Sequence, residues 1–277
     1  MKYIAVLLTV HNRKEKTLAC LSCLYNQEIP DGYSIDVYLT DDGCTDGTPE
    51  AVREQFHDVH IIKGDGNLYW NRGMYVAWEE AAKAKDYDYY LWLNDDTNLM
   101  SHCIKSLLES SIECTNKAIV VESIRSEYED RATYGGHSLL DGKLVVPNGQ
   151  LQECVTMNGN CVLIPRDVYE KLGNLKWIFQ HAIGDLDYGY RARKAGFKIY
   201  ASKEYLGYCE NHILLPAWVR PEVPIVKRIK NLYSPLGSAQ PIPFFYYEYT
   251  NIGCGTAIKH FLTAHIRVLF PWLWKKH

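Results

Sequence analysis

Leu91-Trp92-Leu93-Asn94-Asp95-Asp96-Thr97 joins an apolar run to an amide and two carboxylates. The run from Tyr89 to Leu93 reads as a buried strand whose carboxyl end opens into a cleft, which is where open α/β sheets bind ligands. Carboxylate oxygens there suit a hard cation such as Mg²⁺ or Mn²⁺, with substrate phosphates completing its coordination. The same residues also suit a solvated loop with an Asp cap before Leu99. A second acidic pair, Asp185 and Asp187, lies in Gly184-Asp185-Leu186-Asp187. On a helix these two carboxylates are about 200° apart and cannot face one ligand. Asp187 can pair with Arg191 four residues on, which leaves Asp185 for the cleft or for a helix cap.

The elements that must position these groups alternate in type. Strands are expected at Lys2–Val10, Ile35–Leu39, Val59–Ile62 and Tyr89–Leu93, with helices at Thr17–Tyr25, Asp46–His57 and Trp70–Lys85. This βα alternation predicts an α/β fold, a mostly parallel mixed sheet covered by helices on both faces. The loops Thr9–Arg13, Asp41–Gly47, Gly64–Arg72 and Asn94–Thr97 should then open on one edge. Arg72 on that edge can grip phosphate bidentately, or serve as a surface cation near a helix start. Asn67 can contact a nucleotide. Further on, the spacing predicts a helix at Met100–Cys114, a strand at Lys117–Ser123 and a hairpin over Tyr134–Val146 turning at Asp141-Gly142. A long strand, Cys154–Ile164, is interrupted at Asn158-Gly159-Asn160, which fits backbone approaching a ligand. A short helix follows at Asp167–Leu172, then one starting at Gly184 and capped by Gly196. Phe197–Ala201 closes the sheet.

Composition narrows the class. With 277 residues and 47% hydrophobic content the chain suffices for one large domain or one domain with an extension. A net charge of −3 gives no basic signature for nucleic acid. No apolar run of about 18 residues exists, so no spanning helix is expected. The N-terminal apolar stretch is too short for a signal peptide and reads as a strand. Nine cysteines without a secretion signal suggest free thiols in a reducing compartment. Cys20-x-x-Cys23 and Cys209-x-x-His212 have zinc-ligand spacing, but Cys20 and Cys23 fall within a helical pattern, and buried thiols are the simpler reading. From Val219 onward the character changes. Prolines and Lys227, Arg228 and Lys230 come first, then aromatic and aliphatic residues with Arg267, Lys275 and Lys276. Aromatics beside cations suit a helix lying in a membrane interface, and equally a tail helix packed on the body.

Taken in order, Thr9-Val10-His11-Asn12-Arg13, Asp41-Asp42-Gly43-Cys44-Thr45-Asp46-Gly47-Thr48, Asn94-Asp95-Asp96, and Gly184-Asp185-Leu186-Asp187 with Arg191 resemble a family 2 glycosyltransferase of the GT-A fold, over roughly residues 2–212. The resemblance implies an inverting enzyme that uses a nucleotide-activated sugar and a divalent cation. It assigns Thr9, His11, Asn12 and Arg13 to the nucleotide loop and Asp41 to the pyrimidine N–H. Asn94 and Asp95 fall toward the ribose, Asp96 on the metal, and Asp185 as general base. A late His of this fold often reaches the metal, which nominates His212. Asn160, Trp177 and His181 are nominated for the acceptor, with Trp177, Phe179, Gln180 and His181 as a mobile lid. Two positions depart from the family: Asn94 where Asp is usual, and Gly184 where Glu often precedes the base.

The expected organisation is a catalytic domain over 1–212, split into a nucleotide half (1–98) and an acceptor and base half (99–212), with a helical, membrane-associating extension over 213–277. The expected partners are a UDP- or dTDP-sugar and a saccharide or lipid-linked saccharide acceptor in cell-surface polysaccharide synthesis. The expected location is cytoplasmic, extending to the inner face of the plasma membrane through the C-terminal segment. Rival readings are weaker. A phosphatase of the haloacid dehalogenase type needs a nucleophilic Asp where Asn94 stands, and a nucleotidyltransferase wants a glycine-rich loop where His11–Glu15 has none. A non-catalytic nucleotide-sugar-binding protein of the same fold is the alternative from another class.

Overall fold

The computed structural model describes residues 1–211, 215–237 and 239–273. Four strands form the parallel part: β1 (Lys2–Val10), β2 (Tyr33–Asp41), β3 (Val59–Lys63) and β4 (Tyr89–Leu93). They lie in the order β3-β2-β1-β4, with Val10 level with Asp41 and Asp41 level with Lys63. The polar loops that follow these strands therefore leave the sheet at the same edge.

Successive residues of a strand face opposite ways, and here both faces are covered. Ile4, Val6 and Leu8 pack with Cys20, Leu21 and Leu24 of α1 (Lys14–Tyr25), Val52 of α2 (Thr48–Gln55) and Leu107 of α4 (Cys103–Glu113). Ala5 and Leu7 pack with Met74, Ala77 and Trp78 of α3 (Tyr69–Ala84), Val168 of α5 (Arg166–Leu172) and Tyr188 of α6 (Gly184–Lys194). This two-sided burial explains why the strands read as continuous apolar runs.

The second half of the sheet mixes directions. The short β5 (Asn98–Leu99) and β7 (Ala132–Tyr134) pair antiparallel with β11 (Lys198–Tyr208) and β6 (Ala118–Arg125) respectively. β10 (Cys161–Pro165) lies antiparallel between β4 and β6, and β11 runs parallel to β6. Three elements differ from expectation. The interrupted strand is two: β9 (Gln152–Met157) pairs with β11, while β10 pairs with β4, so Asn158-Gly159-Asn160 carries the chain between separate positions in the sheet. The hairpin is short: the Ser138 N–H donates to the Lys143 carbonyl and that of Val145 to the Gly136 carbonyl, around the bridge between His137 and Leu144, while the other edge of β8 (Gly136–Ser138) pairs with β9. β11 runs past the polar Ser202-Lys203-Glu204, where register shifts absorb the break in its apolar pattern and let it continue beside β6.

The C-terminal extension comprises α7 (Ile225–Tyr233), α8 (Pro241–Asn251) and α9 (Cys254–Leu269). It is docked on the body rather than free. Asn251 Nδ2 donates to Asp187 Oδ1 at 2.9 Å, Lys194 Nζ reaches Asn251 Oδ1 at 3.1 Å, and Tyr247 packs with Phe179 and Ile183.

Candidate active site

The polar loops enclose a cavity of about 340 Å³ lined by Thr9, His11, Arg13, Asp42, Tyr69, Trp70, Asp95, His181 and Leu236. At its floor the Arg13 guanidinium bridges the strand-end carboxylates, with Nη1 at 3.1 Å from Asp95 Oδ1 and 2.8 Å from Asp96 Oδ2. Burial pushes the Asp95 carboxyl up to about 6; Arg13 opposes that shift and the neighbouring Asp96 adds to it. Burial also lowers His181, with Arg13 acting in the same direction, so a neutral imidazole lines the cavity.

Loop shape depends on a carboxylate that sequence reasoning passed over. Asp42 Oδ1 accepts the N–H groups of Gly66 (2.9 Å) and Leu68 (3.1 Å), and Oδ2 accepts that of Tyr69 (2.8 Å). Tyr69 has a left-handed φ of 57°, an uncommon conformation for a bulky residue, held by that bond at the start of α3. His11 donates from Nδ1 to the Asp42 carbonyl at 2.6 Å, and Asn12 Oδ1 accepts the N–H of Thr45 at 2.7 Å. Asp41 lies off the cavity wall, with Oδ1 accepting the N–H of Cys44 at 2.8 Å. The clue available in sequence was the doubled Asp41-Asp42, but the amides that Asp42 binds lie more than twenty residues away.

Trp70 is the other residue missed. Its indole N–H donates to Asn94 Oδ1 at 2.6 Å, so the amide that replaces the family's Asp is engaged by an aromatic wall. The far edge of the ring lies on Gly159, where a Cβ would come within 2.5 Å of Trp70 Cζ2. The N–H of Gly159 in turn donates to Asp185 Oδ2 at 3.0 Å, while Asp185 Oδ1 accepts that of Leu186 at 2.8 Å. Trp70 thus touches both Asn94, the residue before Asp95 and Asp96, and Gly159, whose N–H holds Asp185. Burial raises the Asp185 carboxyl above its ordinary range, against the pull of those two amides. Asp187 is buried and bound by Arg191 Nε (2.8 Å), Lys176 Nζ (3.3 Å) and Asn251, so it braces α6. Gly184 has a packing reason, since a Cβ there would fall 1.6 Å from Asn71 Oδ1.

Several nominated residues lie outside the cavity. Arg72 donates from Nε to the Trp177 carbonyl at 3.0 Å and lies over its ring, so these two residues hold each other. Asn67 is exposed, its carbonyl accepting from Gln180 Nε2 at 2.8 Å. Asn160 is buried behind the site, with its carbonyl taking the N–H of Asn94 at 2.8 Å and its amide near Cys209 Sγ. The mobile-lid reading of 177–181 needs correction at Phe179, which is fully buried against Ile183 and Tyr247. His212 lies outside the described residues.

Asp96 is not on that cavity's wall but lines another, of about 280 Å³, with Glu15, Lys16, Cys209 and Glu210, and is tied to the first through Arg13. A carboxylate on a cavity wall, already drawing a cation in Arg13, fits a hard divalent ion whose remaining ligands are phosphate and water. Among the described residues, the group of three ligand-type side chains close enough to share an ion is elsewhere, at Cys103, Glu122 and Cys161 in the core. All nine cysteines are free thiols.

A parallel half-sheet with its polar loops and carboxylates at one edge, continued by an antiparallel half carrying a further carboxylate, is the GT-A architecture. The chain belongs to glycosyl transferase family 2, whose sequence model matches residues 5–173. Comparison with curated proteins finds no match. Among solved structures, that of S. aureus TarS aligns with a TM-score of 0.59 at 13% identity, covering 95% of this chain and 49% of TarS. TarS 1–349 in complex with UDP gives 0.58 at 13% identity over 90% of this chain and 72% of that one. The same fragment with UDP-GlcNAc gives 0.58 at 13% over 95% and 81%. This chain spans about half the length of TarS, and at this identity the likeness is one of fold.

Proposed function

We propose that this chain transfers a sugar with inversion from a UDP- or dTDP-sugar to a saccharide or lipid-linked saccharide acceptor, in the synthesis of a cell-surface polysaccharide at the cytoplasmic face of the membrane. The observation that carries the reading is that Trp70 contacts two unlike loops, one leading into the Arg13-bound carboxylate pair and one whose Gly159 N–H holds Asp185. The solved complexes of TarS with UDP and UDP-GlcNAc support the donor class.

In this reading the nucleotide lies in the 340 Å³ cavity against Thr9, His11 and Arg13, with Asn12 shaping the loop. Asp96 would hold Mg²⁺ or Mn²⁺, whose positive charge would offset the negative charge of the departing diphosphate. Arg13 keeps Asp95 and Asp96 from repelling one another before the donor arrives. Asp185 accepts the proton of the acceptor hydroxyl as that oxygen bonds to the anomeric carbon. The bond from that carbon to phosphate breaks on the opposite face, and its electron pair leaves with the nucleoside diphosphate. Trp70 and Leu236 wall the cavity and restrict water. The raised Asp185 carboxyl makes it a stronger base than an ordinary surface Asp.

The test is nucleoside diphosphate release from a panel of UDP-, dTDP- and GDP-sugars with acceptor saccharides, with Mn²⁺ or EDTA. Turnover should require metal and be lost in Asp96→Ala and Asp185→Ala. Metal-independent turnover, or full transfer by Asp185→Ala, overturns the mechanism.

A further inference from the structure

Fifteen of the twenty-four large apolar side chains exposed among the described residues fall between Ile225 and Leu273. They are therefore a feature of the extension rather than a scatter over the surface. On α9 the exposed residues Ile258, Leu262, Ile266 and Leu269 recur at helical spacing on one face. On α7, Val226, Ile229 and Tyr233 do the same. The stripes meet where the Tyr233 hydroxyl reaches His265 Nε2 at 2.7 Å, one residue from Ile266. Phe270, Trp272 and Leu273 extend the α9 end with further exposed apolar surface. No described helix is long and apolar enough to cross a membrane.

The charge of this segment is one-sided. From Val223 to Leu273 the sequence holds a single carboxylate, Glu248, and it is buried. Over the same stretch Lys227, Lys230 and Lys259 are exposed. This contrasts with a whole chain of net charge −3. An apolar face rimmed by cations and free of exposed carboxylates matches an anionic bilayer surface, where aliphatic and aromatic side chains enter the acyl boundary and lysines meet phosphates. A second copy of the same face would set these cations against one another.

We infer that the α7–α9 face docks on anionic lipid, and that this docking sets the cavity mouth at the membrane, since Leu236 belongs to this segment and lines the cavity wall. The inference deepens the lipid-linked acceptor reading and rests on it for its purpose. Partition is measured without turnover, however, so failure here would leave sugar transfer standing.

The experiment is co-sedimentation of the full chain with phosphatidylcholine vesicles, and with vesicles of roughly seven parts phosphatidylcholine to three of phosphatidylglycerol. The chain should bind the anionic vesicles, lose most of that binding in high salt, and prefer them to the neutral ones. Lys227→Glu with Lys230→Glu should weaken partition on the order of tenfold or more, and Leu262→Glu with Ile266→Glu should abolish it. Unchanged melting midpoints and nucleotide binding would show that each variant is folded. Failure to bind anionic vesicles, or equal binding by both double variants, overturns the inference. A dimer seen by light scattering and dissolved by Leu262→Glu with Ile266→Glu also overturns it, in favour of a second copy.

Discussion

Asp96 and Asp185 are each tied to a loop that Trp70 touches, at Asn94 and at Gly159, but their surroundings are opposite. Asp96 lies in the loop after the parallel strand β4 and shares the Arg13 guanidinium with Asp95. Asp185 opens a helix on the antiparallel side, and its oxygens accept the backbone N–H groups of Gly159 and Leu186. A carboxylate paired with a cation stands where positive charge is already accepted, which suits a metal and a diphosphate. One held by neutral amides in a desolvated place keeps affinity for a proton. The difference shows how one cleft can bind a negatively charged leaving group and still deprotonate a hydroxyl, because the two tasks are assigned to electrostatically unlike walls.

Asp185→Asn should break that comparison most severely. The amide keeps the shape and cannot accept a proton, so kcat should fall by about 10²–10⁴, with nucleoside diphosphate affinity unchanged by calorimetry. In the parent chain the acid limb of the pH–rate profile should lie above the ordinary carboxylate range, because burial raises Asp185. A variant retaining most of its turnover would show that Asp185 only caps α6.

Gly159→Ala tests the partition itself. Its Cβ would lie 2.5 Å from Trp70 Cζ2, so the indole or the 158–160 backbone must move. Either shift disturbs the Asn94 contact or the N–H that holds Asp185. Overpacking of this kind costs roughly 1–3 kcal/mol; expressed in the transition state, that is about a 10- to 100-fold loss of kcat. Trp70→Phe keeps the wall but loses the bond to Asn94, and should lose less. Equal kinetics in Gly159→Ala and the parent chain would mean that the two walls work independently of Trp70.

The regular part of this design was legible in the sequence because its signals are local. Leu7, Leu39 and Leu91 sit in apolar runs that end in polar loops, and the parallel order puts those loops on one edge. The pairing of Asp187 with Arg191 followed from helical spacing alone. Asp42, Trp70 and Phe179 were not legible, since their partners are distant in sequence: Tyr69 for Asp42, Gly159 for Trp70, Tyr247 for Phe179. The glycine inside Asn158-Gly159-Asn160 announced a close approach, but a sequence does not say to what. Arg72 shows the opposite limit. Its place on the ligand edge was readable, but its engagement with Trp177 was not.

Glu122→Gln should have the smallest effect on turnover, and it asks whether an unpaired carboxyl is by itself a sign of catalysis. Glu122 on β6 is fully buried with both oxygens unpartnered, near Cys103 and Cys161, and burial pushes its carboxyl up to about 8. The folded chain therefore holds this proton more tightly than the unfolded one. The stability it contributes is full below the unfolded value near 4.5 and is lost as pH rises through about 8. Glutamine has no proton to lose. Melting midpoints of parent and variant should thus nearly coincide at acid pH and separate toward pH 8–9, where the variant gains on the order of a few kcal/mol. Turnover near neutral pH should be unchanged, because Glu122 is fully buried in the sheet, whereas Asp185 is partly exposed next to Gly159. If Glu122→Gln instead lost activity as Asp185→Asn does, desolvation alone would account for both, and the asymmetry of the walls around Trp70 would cease to explain where the proton goes.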